Sequence, residues 1–213
     1  MKIFVVDRAL DRWDGAWERA LEADAAPRPD ILPLTMGADS ALVRPGFPCF
    51  LPDFAREGWE LRLAPMVRVS KLGKWVEPRF ADRYIDSLAV AAILRPAGDG
   101  DGDRVAPRFL PVFDGAIMPG SFLPLPSGEE AVLLYGKTAE GAPLQLTFPL
   151  SALRIAETLA IISRSTTVKS GDLLVPAIFP AAFPAEIGLD ISASLLRPGE
   201  ATPERPQLRA RVK

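Results

Sequence analysis

Residues 61–69 read LRLAPMVRV, and this stretch decides the fold. Apolar residues or proline fill its odd-numbered positions, whereas Arg62 and Arg68 fall on even-numbered ones. Such alternation predicts a half-buried strand, because successive side chains of a strand point to opposite faces. After a turn at 72–74 and a short helix predicted for 77–86, residues 87–94 read SLAVAAIL and predict an apolar strand.

The rest of the chain predicts short strands and few helices. We expect strands at 2–6, 131–135, 144–148, 173–175 and 208–212, short strands and turns over 31–54, and helices at 12–25 and 150–162. Asp11 and Ser151 are the candidate N-caps of these two helices. With 22 prolines, the pattern favours a β-rich α+β fold in a single domain spanning residues 1–213.

Composition excludes several classes of function. The 25 basic and 27 acidic residues nearly balance, which argues against a nucleic-acid partner. Cys49 is the lone cysteine and no apolar run is long enough for a signal peptide or a membrane helix, so we expect a cytoplasmic protein. The chain contains no histidine, so any chemistry must use carboxylates, lysine, tyrosine or hydroxyls.

An Asp-Gly run at 99–103 is the strongest metal-like signal. Asp99, Asp101 and Asp103 match the first three ligand positions of a calcium loop. The glycine at position 6 and the acid at position 12 are replaced by Arg104 and Leu110, which favours a solvated loop.

Three other features favour structural roles. The hydroxyls and lysine of residues 166–169 precede Ser-Gly-Asp, so a turn is favoured over a nucleophile–base pair. Cys49 has no possible histidine partner and is interpreted as a buried structural thiol. Trp13 and Trp17 lie on one stripe of the first predicted helix, which is typical of core or interface.

Three segments, in order, resemble the fumarylacetoacetate hydrolase family. Residues 52–84 lead from PDF through LGK to RFADRY. Residues 113–120 are similar to the family's F-D-G…P-L-G segment, and residues 162–174 to its I-S…L-K-x-G-D-L-I run. The resemblance implies a mixed β-roll or sandwich with few helices. Residues 1–50 would form a strand-helix-strand portion and residues 51–213 the core β-roll.

The resemblance also implies a site for Mg²⁺ or Mn²⁺ held by a Glu-x-Glu pair and a later Asp. The pair falls at Arg62 and Ala64, or at Glu60 and Arg62 if the register shifts by two, and the Asp falls at Ile93. A lysine expected before F-D-G falls at Pro111. Under either register the metal and catalytic positions are vacated, so we expect no metal cofactor and no catalytic residues of the family type.

Three functions remain open, of which a small-molecule sensor with an apolar pocket is the third. The first is a degenerate homologue without metal-dependent catalysis. It acts as a binding or structural protein, with a small ligand or a protein partner, and is homodimeric as the resemblance implies. The second is a divergent hydrolase, isomerase or decarboxylase that acts on a small oxo-acid without the metal. In that case Arg62, Arg68 and Arg95 are the candidate carboxylate ligands and Tyr84 the candidate proton donor.

Overall fold

The structure is a computed structural model that describes residues 1–7, 34–55, 57–97, 113–126, 131–139, 141, 143–197, 199–201 and 204–213. The described strands are β1 (Lys2–Val6), β2 (Leu34–Ala38), β3 (Trp59–Val69), β4 (Ile85–Pro96), β5 (Ile117–Pro119), β6 (Leu123–Pro124), β7 (Ala131–Thr138), β8 (Leu144–Pro149), β9 (Leu173–Val175), β10 (Ala182–Pro184), β11 (Asp190–Leu196) and β12 (Leu208–Arg211). The described α-helix, α1, is Ile155–Ser165, and 3₁₀ helices cover Asp39–Ala41, Pro78–Tyr84 and Leu150–Leu153.

These strands form two sheets. The large sheet has the order β2-β1-β9-β3-β4-β5, with β10 beside β3 and β6 beside β4. Its β1–β9 pair is parallel and its other pairs are antiparallel, so the sheet is mixed. The small sheet has the order β12-β11-β7-β8 and is antiparallel throughout. This architecture confirms the predicted β-rich fold with few helices.

The predicted half-burial of the 61–69 strand is wrong, because β3 is covered on both faces. Leu61, Leu63 and Val67 belong to a core that continues into the small sheet. Ala64 and Met66 on the opposite face are equally buried, in a second apolar cluster with residues of β1, β4, β5 and β9. Arg68 is the one exposed residue of the strand.

The predicted helix over 150–162 begins too early. Residues Leu150–Leu153 form a 3₁₀ turn, and Arg154 then takes a left-handed conformation with φ 48° and ψ 42°. That residue interrupts the helical path, so α1 begins only at Ile155, and Ser151 makes no side-chain cap. The 77–86 prediction corresponds to the 3₁₀ helix Pro78–Tyr84.

Some predictions lie outside the described residues. These are the helix over 12–25 with Asp11 and its two tryptophans, the Asp-Gly run at 99–103, and Pro111. Among the residues that are described, no helix has the length and apolar character needed to cross a membrane.

A buried carboxylate fixes the start of β1 to the start of β9. Asp172 is 2% exposed, and its Oδ1 and Oδ2 accept hydrogen bonds from the backbone N–H groups of Lys2 (2.8 Å) and Lys169 (2.9 Å). Lys2 Nζ lies 3.3 Å from Asp172 Oδ2 and also donates to the Thr167 carbonyl. The 166–169 segment therefore leads into a structural turn, closed by the Asp172 N–H donating to the Lys169 carbonyl.

Candidate functional site

The even-numbered residues of β3 and their partners on β4 form one surface of the large sheet, which we call the even face. Register places Glu60 opposite Arg95, Arg62 opposite Ile93, and Ala64 opposite Ala91. The other members of the face are Met66, Arg68, Ala89 and Ser87. Because paired strand residues point to the same side, Arg62 and Ile93 share one position across the strands.

An ion pair occupies the position at which the resemblance implies a metal. Arg62 Nε donates to Glu60 Oε1 at 2.6 Å, and the side chains keep 21% and 15% of their surface exposed. The two residues are at i and i+2 on one strand, so the pairing follows directly from the strand period. Each charge is therefore already compensated within β3.

A second ion pair lies deeper on the same face. Arg95 is 6% exposed, and its Nη1 donates to Asp7 Oδ1 at 2.9 Å. Asp7 follows β1, where Ile3 and Val5 pack in the even-face cluster. Its role was not predicted, although the alternation Ile3, Val5, Asp7 would have placed it on this face.

The other two predicted site residues, Arg68 and Tyr84, lie at the opposite end of β3. Arg68 is six residues beyond Arg62, which is about 20 Å along an extended strand. It pairs with Asp86 at 3.2 Å and lies 5.4 Å from the centroid of the Phe122 ring. Tyr84 is near this end too, since its carbonyl accepts a hydrogen bond from the Ser70 N–H. The structure thus brings together Arg62 and Arg95 and separates them from Arg68 and Tyr84.

The hydrogen bonds around Asp86 lower the pKa of its carboxyl. The Ser87 hydroxyl, which donates to Oδ1 at 2.6 Å, is the largest cause, and Arg68 adds to it. Both members of the Arg68–Asp86 pair are more than two-fifths exposed. This end of β3 therefore carries a solvated surface ion pair and does not form an enclosed binding site.

The described residues of the even face do not fit Mg²⁺ or Mn²⁺. These ions take several oxygen ligands, chiefly carboxylates. Glu60 is paired to Arg62, and Ala64 and Ile93 contribute no oxygen from their side chains. Within the described part of the chain, no three Asp, Glu, Cys or His side chains come together in a way that would hold a metal ion.

Two glycines of the 113–120 segment, which carries part of the family resemblance, have structural roles. Gly115 of the F-D-G segment has φ +77° and donates its N–H to the Ser40 carbonyl. At Gly120, a Cβ would lie 2.7 Å from the Val90 carbonyl oxygen and 2.8 Å from that of Gln207. Only glycine fits between these two backbones, which belong to β4 and to the residue before β12.

Cys49 is buried, as predicted for a structural thiol. Its Sγ lies 3.6 Å from the Gly115 carbonyl oxygen and 3.7 Å from that of Phe50. Loss of solvation raises the pKa of this thiol to about 11, so the reactive thiolate is disfavoured.

A cavity of about 250 Å³ lies elsewhere, between the two sheets. Leu88, Val132 and Leu195 contribute to its largely apolar lining, and Arg197 and Glu200 also line it. Leu88 is opposite Val67 and belongs to the inter-sheet core, so this cavity is on the other side of the large sheet from the even face.

No family model matches the chain, and no curated protein matches it. Solved structures do. Fumarylpyruvate hydrolase from Pseudomonas aeruginosa, in complex with Mn²⁺ and pyruvate, has a TM-score of 0.72 and 16% identity over 100% of this chain and 89% of that chain. For 5-carboxymethyl-2-hydroxymuconate delta-isomerase from Mycobacterium smegmatis the TM-score is 0.73, with 14% identity over 99% of this chain and 76% of that chain.

A third structure, of a protein assigned to the fumarylacetoacetate hydrolase family from Yersinia pestis CO92, has a TM-score of 0.73. It is 15% identical over 100% of this chain and 92% of that chain. At these identities the likeness concerns the fold, and it extends over the whole chain. The chain therefore has the fold of the fumarylacetoacetate hydrolase family, as the three sequence segments predict.

Proposed function

We propose that this chain is a degenerate homologue of fumarylacetoacetate hydrolase-family enzymes that binds a ligand or partner without metal-dependent catalysis. The observation that carries the proposal is the Arg62–Glu60 ion pair opposite Ile93. A divalent cation placed there would meet a neutral pair rather than a cluster of carboxylates, because the attraction of Glu60 is largely cancelled by the repulsion of Arg62. The Pseudomonas protein of the same fold was solved with Mn²⁺, which makes metal binding the property to test.

The alternative is a metal-free enzyme acting on a small oxo-acid. It needs a proton donor beside the arginines that hold the substrate. Tyr84, the candidate donor, lies at the Arg68 end of β3 and not beside Arg62 and Arg95. The geometry of these four side chains therefore favours binding over catalysis.

Calorimetric titration of the wild-type protein with Mn²⁺ and Mg²⁺ tests the proposal. We expect no binding heat up to millimolar metal and no turnover of an acylpyruvate or of oxaloacetate with metal present. Micromolar Mn²⁺ binding by the wild type, accompanied by turnover, would overturn the proposal. The homodimer implied by the resemblance is a separate prediction, checked by sedimentation velocity.

A pair of variants tests the position of the vacated site. Arg62→Glu combined with Ile93→Asp places two new carboxylates next to Glu60, and we expect Mn²⁺ to raise the Tm of this double variant. The matched control, Arg62→Gln with Ile93→Asn, has similar shapes but no added charge, and its Tm should not respond to Mn²⁺. Equal responses would mean that the even face is not where the family's metal position lies.

A further inference from the structure

The turn that follows β3 exposes two large apolar side chains. Leu72 keeps 68% of its surface exposed and Trp75 keeps 66%, so both protrude from the fold. Trp75 also takes a left-handed backbone conformation, with φ +57°, which is unfavourable for a residue other than glycine. Backbone strain is concentrated at functional sites, so this outlier points to a function of the exposed indole.

Hydrogen bonds hold the backbone of this turn in place. Gly73 and Val168 exchange two N–H···O=C bonds, of 3.0 and 2.9 Å. The Trp75 N–H donates to the Ser163 carbonyl at 3.1 Å, and the Val76 N–H donates to the Ser163 hydroxyl at 2.9 Å. The turn is thus tied both to α1 and to the segment after it. Binding through its two apolar side chains would therefore cost little further backbone entropy.

The two segments joined here carry positive charge only. Residues 70–76 and 163–171 contain four basic residues and no acidic one, although acids outnumber bases in the chain as a whole. We call this set the basic surface; its members are Lys71, Lys74, Arg164 and Lys169. Lys74 Nζ donates to the Arg164 carbonyl at 2.9 Å and lies 5.6 Å from the centroid of the Trp75 ring. Positive charge is therefore placed directly beside the exposed indole.

The charges next to the basic surface balance one another. Lys2 Nζ lies 3.3 Å from the carboxylate of Asp172, which is buried. Residues 77–83 hold two acids and two bases, of which Glu77 and Arg79 form an ion pair. The net charge of the basic surface is therefore not cancelled by these neighbours.

This combination of side chains fits the surface of an anionic membrane. Tryptophan lies at the headgroup level of bilayers, and lysine and arginine near the surface are attracted to anionic lipids. A second copy of the chain fits poorly, because a two-fold contact would bring the basic surface against itself. An ordinary protein interface buries about 800 Å² on each partner, which is more than two protruding side chains supply.

We propose that the turn bearing Leu72 and Trp75 docks the protein peripherally on an anionic lipid bilayer. The two apolar side chains enter the headgroup region, and the basic surface lies against the anionic headgroups. The inference goes beyond the proposed function and does not depend on it, since the turn follows the end of β3 that is distant from Arg62.

Co-sedimentation of the wild-type protein with vesicles tests the inference. We expect binding to phosphatidylcholine vesicles that contain about 30% phosphatidylserine, weakening as salt is raised, and no binding to phosphatidylcholine alone. Equal sedimentation with both kinds of vesicle, or with neither, would overturn the inference. Binding to soluble polyglutamate without binding to the anionic vesicles would also overturn it, in favour of an acidic protein partner.

Trp75→Gly separates docking from folding. Glycine adopts φ +57° without strain, so the Tm should be unchanged or higher, whereas affinity for the anionic vesicles should fall about tenfold or more. Lys71→Gln should weaken binding about fivefold. The matched control is Phe50→Ser, which removes an aromatic side chain that is 68% exposed among the uncharged residues 46–52 and should leave binding unchanged. Wild-type affinity in Trp75→Gly, or an equal loss in Phe50→Ser, would overturn the inference.

Discussion

Removing the buried Asp172 carboxylate should be one of the more damaging single changes in the fold. The carboxylate accepts two backbone N–H bonds, from Lys2 and Lys169, and lies 3.3 Å from the Lys2 ammonium. Hydrogen bonds to a charged group contribute about 1.5–3 kcal/mol each, and the partly exposed ammonium adds less than about 1 kcal/mol. Because the released N–H groups of these lysines are near the surface and regain some water, we expect Asp172→Ala to cost about 2–4 kcal/mol.

Urea denaturation measures this cost. With a slope of about 2 kcal/mol per molar urea, Asp172→Ala should lower the unfolding midpoint by about 1–2 M. Asp172→Asn keeps one acceptor oxygen and should cost roughly half as much as the alanine variant. Asp86→Asn, which breaks an exposed pair with Arg68, serves as the control and should cost less than about 1 kcal/mol. If Asp172→Ala were no more destabilising than Asp86→Asn, the reasoning that this carboxylate holds β1 to β9 would be refuted.

Two further predictions concern Cys49 and Gly120. Cys49 should resist a thiol reagent at pH 8 in the native state and react fully in denaturant. Burial raises the pKa of this thiol to about 11, whereas the unfolded thiol ionises near pH 9. Its contribution to the stability of the fold is therefore complete below about pH 9 and is lost as pH rises toward 11. Rapid native-state labelling would contradict this. Gly120→Ala should lower the free energy of unfolding by about 3 kcal/mol, because the new methyl group overpacks against the carbonyls of Val90 and Gln207. Gly58 has φ +85° and open space around it, so Gly58→Ala should lower it by about 1 kcal/mol. Thermal denaturation of both variants checks the difference, and equal costs would argue against the close approach at Gly120.

The sequence predicted most of the strands because their patterns are local. The apolar run at 87–94 and the alternation at 208–212 mark β4 and β12 directly. β11 was not predicted, although Ile191, Ala193 and Leu195 alternate, because Ser194 is also buried and weakens the contrast between the faces. α1 begins at Ile155 because Arg154 takes a left-handed conformation. The sequence does not indicate this conformation, since residues other than glycine seldom adopt it.

Prediction of the site was limited by register and by long-range contacts. The sequence left open whether the Glu-x-Glu pair falls at Arg62 and Ala64 or at Glu60 and Arg62. It also contained no information on strand register, and the β3–β4 pairing is what places Arg62 opposite Ile93. The Arg95–Asp7 contact joins residues 88 positions apart, which no spacing rule connects. The separation of Arg62 from Arg68, in contrast, follows from strand length alone and was available from the sequence.

The position of β9 has a consequence for the order in which the protein acquires its structure. β9 lies between β1 and β3, so three residues, Leu173–Val175, join the antiparallel pair β1–β2 to β3 and the strands beyond it. At about 5–20 residues per second, synthesis takes roughly 10–35 seconds to travel from β1 to β9. We therefore expect the nascent chain to carry two unjoined halves of the large sheet until α1 and β9 emerge, which truncation before Leu173 and limited proteolysis of ribosome-bound chains would reveal.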